Sequence, residues 1–132
     1  MKITVGCIFL LVSSAVFAQV TQIWGCRGTD SNGFNWVGGA WEKAGLVAED
    51  FVIALDEVEV DVSTLEFRNS DKFNFGCYQF EEYWRCIGHV EGLFFVLNTS
   101  TGEAGLSKMH GALGLTRVRD PVSVSIAQCA KL

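Results

Sequence analysis

Proline occurs once in the chain, at Pro121, and histidine only at His89 and His110. With so little proline and a hydrophobic fraction of 49%, a disordered or linker-like polypeptide is excluded. No apolar run reaches the ~20 residues that a membrane-spanning helix needs. There is no C-x-x-C or H-x-x-x-H spacing, so the residue pattern offers no zinc site, and no metal or other cofactor is expected. The nucleophile elbow G-x-S-x-G, a phosphate-binding loop and the zinc-protease motif are all missing. Internal repeats, linkers and low-complexity tracts are absent as well.

What is there begins with a leader. Lys2 supplies a positive charge, residues 5–12 are apolar apart from Gly6, and Ala15-Val16-Phe17-Ala18 ends in an A-x-A-like cleavage signature. This reads as a signal peptide over residues 1–18, cut before Gln19, whose exposed amine would then cyclise to pyroglutamate. The expected product is a single secreted, soluble, extracellular domain spanning residues 19–132. Its nine basic and fifteen acidic side chains give a net charge of −6. A negative field repels phosphate, so neither nucleic acid nor an anionic membrane is an expected partner.

Cys7 departs with the leader, leaving Cys26, Cys77, Cys86 and Cys129. In an oxidising compartment these become structural bridges. Of the three possible pairings, Cys77–Cys86 with Cys26–Cys129 is favoured. The first closes a short hairpin, and the second ties the two ends of the domain together. So small a domain has a limited core and gains much from such links.

The periodicity points to strands. Val58, Val60 and Val62 alternate with Glu57, Glu59 and Asp61, the mark of a half-buried strand. The carboxylate row reads as a solvated strand face rather than a Ca²⁺ site. Residues 51–55 and 93–97 are continuous apolar runs that fit more buried strands. Phe73, Phe75 and Cys77 share one parity and should face the core, with Gly76 marking a bulge. Residues 83–87, 113–117 and 122–127 give further strands, and the last delivers Cys129. Arg68-Asn69-Ser70-Asp71, Asn98 to Gly102 and Asp120-Pro121 are turns. The density of Gly and Trp over residues 19–45 suggests turns and short strands. Residues 41–50 could add a turn or two of helix, and residues 103–110 are ambiguous between a short helix and irregular chain. The expected fold is all-β, or β-rich with one short helix. It is a small antiparallel sandwich or barrel stapled by two disulfides.

Three constellations could carry chemistry. Arg85, His89 and Glu91 share one parity with Ile87. They could serve phosphoryl transfer in a ribonuclease-like hydrolase, with His110 joining from another strand. The alternative is a polar outer strand face, and Gly88 and Gly92 would disturb the alignment of the trio. Trp24, Trp36 and Trp41 could form a stacking platform for a sugar, although core packing is the commoner use of tryptophan in a small domain. Trp84, beside Cys86, reads as core. Asn98-Thr99-Ser100 is an N-glycosylation acceptor in a loop.

The stretch LEFRNSDKFNFGCYQFEEYWRC is similar to the central segment of the Alternaria major-allergen family. It has a strand ending in Cys77, a short acidic loop at Glu81-Glu82, and aromatic Tyr83-Trp84 ahead of Cys86. The resemblance runs over about residues 47–129 and departs at the C-terminus, where the family carries a further late cysteine. It implies a fungal β-barrel without enzymatic chemistry. Such a protein would act as a secreted effector in virulence, binding host extracellular proteins or small ligands such as phenolics.

Overall fold

The computed structural model describes residues 21–57, 63–69, 71–89, 92–109 and 121–132. The leader, the alternating segment 58–62, Glu91, His110 and the expected strand at 113–117 lie outside the described residues.

Among the described residues, nine antiparallel strands form one sheet. They are β1 (Thr21–Val37), β2 (Ala40–Gly45), β3 (Phe51–Asp56), β4 (Ser63–Phe67), β5 (Lys72–Phe80), β6 (Tyr83–Gly88), β7 (Leu93–Asn98), β8 (Glu103–Lys108) and β9 (Val122–Lys131). The order from β3 to β9 is sequential, and β9 returns to pair with β1, closing an eight-stranded barrel. The ninth strand, β2, pairs with the far half of β1 and lies outside the closed ring. The barrel is therefore the alternative that holds, not the open sandwich.

Eight strands enclose a space just wide enough for side chains to fill. Alternate residues fill it here: Ile53 and Leu55 from β3, Leu65 from β4, Phe75 from β5, and Leu93, Phe95 and Leu97 from β7 are almost wholly buried. Phe51 meets Phe67 and Phe95 edge to face, with ring centroids 5.7 and 5.9 Å apart. Trp84 is core as expected. Both disulfides lie across directly paired residues. Cys26 faces Cys129 at a Cα separation of 4.0 Å, and Cys77 faces Cys86 at 4.1 Å. Close antiparallel pairs of this kind bring side chains nearest together.

Several local expectations are corrected. No helix forms among the described residues: 40–45 and 103–108 are strands, and 46–50 is irregular. Gly-rich residues 21–37 make one long strand rather than several short ones. Its glycines serve close backbone approach. A Cβ on Gly33 would stand 1.9 Å from the carbonyl oxygen of Val122 on β9. The bulge is not at Gly76, where β5 and β6 stay in register, but between Gly28 and Asp30. There the extra residue bends β1 so that one strand can serve both the ring and the β2 hairpin. The apolar runs at 51–55 and 93–97 are not buried on both faces, since Val52, Phe94 and Val96 point outward. In β9 the small residues Ser123 and Ala127 point inward, and Val124 and Ile126 are 54% and 49% exposed. That parity is forced by Cys129, which must face inward to reach Cys26.

The turns follow the expected chemistry. Asn69 Oδ1 accepts from the Asp71 amide at 3.1 Å. Asn98 Oδ1 accepts from the amides of Ser100 (2.8 Å) and Thr101 (3.1 Å). Both are Asx turns, in which a side chain imitates the backbone.

Candidate functional site

The outer face of β1, β3 and β4 carries a groove of about 760 Å³. Register builds it in rows. Ile23, Ala54 and Thr64 form one row, and Gly25, Val52 and Glu66 the next. Cys26, Phe51 and Phe67 are paired in register but point inward. One further step brings Arg27, Asp50 and Arg68 side by side on the outside, and the Arg68 amide donates to the Asp50 carbonyl at 3.3 Å. The floor is low at Ala54, which has little side chain. The Leu132 side chain lies over Gly25, its Cδ2 3.3 Å from where a Gly25 Cβ would stand. The three rows span four residue steps along the strand, about 13 Å.

Charge is concentrated in the last row. Asp50 Oδ1 accepts a hydrogen bond from the Gly28 amide at 3.1 Å. Neither the Arg27 nor the Arg68 guanidinium has an ion-pair or hydrogen-bond partner among the described residues. The site thus joins an apolar floor to two guanidinium groups that no described side chain pairs. Three strands span about 10 Å at the backbone, so the two long side chains can reach over Asp50 toward a common ligand.

A second opening, of about 470 Å³, lies at the barrel mouth between Ser31, Phe73, Lys108 and Ser125. Its cation is already engaged. Lys108 Nζ is 3.0 Å from Glu49 Oε2 and 3.7 Å from the centroid of the Phe67 ring. The Ser31 and Ser125 hydroxyls bond each other at 2.8 Å.

The expected catalytic set is placed differently. Arg85 points outward from β6, with its guanidinium carbon 5.7 Å from the Phe80 ring centroid. His89 is exposed just beyond the end of β6, and its amide donates to the Asn74 carbonyl at 3.0 Å. Neither residue lines the groove or the barrel mouth. Around Arg85 the convex face of β5 to β9 is apolar, with Tyr78, Phe80, Ile87, Phe94, Val96, Val124 and Ile126 exposed. Of the expected stacking tryptophans, Trp24 is core. Trp36 and Trp41 meet at 5.3 Å but at 70° to each other, an edge contact that presents no shared flat surface. Asn98 sits half-buried at the β7–β8 turn, with its Oδ1 engaged as described. Among the described residues, no group of three His, Cys, Asp or Glu is placed to hold a metal ion.

Sequence reasoning missed Arg27, Asp50 and Arg68. They are far apart in the chain, and each stands singly in unremarkable surroundings. Only strand register joins them. Comparison of the chain with protein-family models, with curated proteins and with solved structures returned no match.

Proposed function

We propose that the protein is a secreted, effector-like binding module that works through the outside of its barrel and catalyses no reaction. The groove over β1, β3 and β4 carries this reading, because it joins apolar side chains to two arginines with no ion-pair partner among the described residues. Ligand sites have that composition, with an apolar lining and a few placed polar groups. The interior offers less, since its described side chains pack against one another. Two disulfides are compatible with an extracellular protein, where such bridges persist. A fungal source and a host extracellular target would accord with the resemblance to the Alternaria major allergens.

The test is a fragment screen by amide NMR on the secreted protein, alongside an RNA-hydrolysis assay. Binding predicts saturable shifts at Gly25, Val52 and Ala54, and no RNA hydrolysis above the level of a His89→Ala variant. RNA cleavage that disappears in His89→Ala would replace this reading with the hydrolase.

A further inference from the structure

The chemistry of the groove narrows what it holds. Three properties act together. First, the floor of Ile23, Gly25, Val52 and Ala54 is apolar and about 7 Å from one row to the next, within a groove of about 13 Å that ends at the arginine row. An extended hydrocarbon or a flat ring system would lose water there at a gain. Second, Arg27 and Arg68 stand at one end only and have no ion-pair partner among the described residues. A guanidinium presents a fork that matches the two oxygens of a carboxylate or the oxygens of a phosphate. Third, the same lining contains two carboxylates. Asp50 accepts a hydrogen bond from the Gly28 amide and keeps its place between the arginines, and Glu66 stands opposite Lys72 in register. With Lys72 set against Glu66, the two arginines exceed Asp50 by one positive charge, which suits one negative charge on a ligand and opposes a second.

We propose that the groove takes an amphipathic monoanion, a carboxylate on an apolar chain or ring. The carboxylate lies on Arg27 and Arg68, and the apolar part lies along Val52 and Ala54. This inference rests on the groove being the binding site, and it adds the class of ligand. Against the protein's overall negative charge, the two arginines act as a local exception that reads one end of the ligand. A dianionic phosphate ester on the same hydrocarbon binds more weakly than the carboxylate, because Asp50 opposes its additional charge.

The experiment is an amide-shift titration of the secreted protein with decanoate, decyl phosphate, decanol and decyltrimethylammonium, each kept below its micelle concentration. Decanoate is expected to saturate shifts at Gly25, Val52 and Ala54. It should bind about tenfold or more tightly than decyltrimethylammonium, the gap expected for a charge-assisted contact. Arg27→Gln with Arg68→Gln should remove that preference and leave decanol unchanged. Ala54→Leu, which fills the floor, should abolish binding of all four. Equal affinity for the anionic and cationic amphiphiles would overturn the proposed ligand class while leaving the groove as the binding site. Tighter binding of decyl phosphate than of decanoate would overturn the monoanion assignment. Absence of groove shifts with every amphiphile would overturn both this inference and the reading beneath it. The comparison among amphiphiles uses the unaltered protein, so it decides the matter even if a variant misfolds.

Discussion

Cys26–Cys129 spans 103 residues and crosses the β1–β9 seam at which the barrel closes, whereas Cys77–Cys86 spans 9 and staples one hairpin. Replacing each pair by alanine removes two sulfurs from nearly the same surroundings, because all four cysteines are buried. Transfer and cavity costs therefore largely cancel between the two variants, and the difference in closed-loop length remains. In the chain-entropy model the long loop is worth about 4.7 kcal/mol and the short one about 2.7 kcal/mol. The Cys26→Ala/Cys129→Ala protein should thus be less stable than Cys77→Ala/Cys86→Ala by about 2 kcal/mol. Total stability for such domains is about 5–15 kcal/mol, so the seam variant should lose a large share of it. Urea unfolding followed by tryptophan fluorescence measures both, using the linear dependence of stability on denaturant. The hairpin variant proving equal to or weaker than the seam variant would refute the reasoning, because the order follows directly from loop length.

Two further outcomes follow from local geometry. Gly33→Ala would drive a methyl group into the Val122 carbonyl, so it should cost about 2–4 kcal/mol in urea unfolding. Gly45→Ala meets nothing within 4 Å, and its stability should change by only about 0.5 kcal/mol; similar costs at the two sites would count against the close β1–β9 approach. Asn98→Ala strips two acceptor contacts from the β7–β8 turn and should lower stability by about 1–2 kcal/mol. The secreted protein should also lose any glycan mass present on the parent, and a variant as stable as the parent would show that the Asx turn contributes nothing.

The elements legible in the residues were those fixed by local rules. The short hairpin around Cys77 and Cys86, the Asn69 and Asn98 turns, and the inward parity of Phe75 and Cys77 all depend on neighbours close in the chain. Residues 41–50 and 103–110 misled because short segments with Gly and Ala satisfy helix and strand patterns alike, and only pairing with β1 and β9 decides them. The runs at 51–55 and 93–97 read as doubly buried because a strand's sequence does not say what covers its second face. In this barrel nothing among the described residues covers Phe94 and Val96.

By itself, the order of residues determined a β-protein of limited core held by two specific bridges. Side-chain alternation, turn chemistry and cysteine position are short-range properties that any fold of this chain must satisfy. The tertiary structure decided closure of the ring and the site on its outside. The inward demand of Cys129 turned Val124 and Ile126 to the surface, and register between β1, β3 and β4 brought Arg27, Asp50 and Arg68 into one row. Hydrogen-bond register couples residues without regard to their distance along the chain, and for that reason no local pattern could have announced the groove.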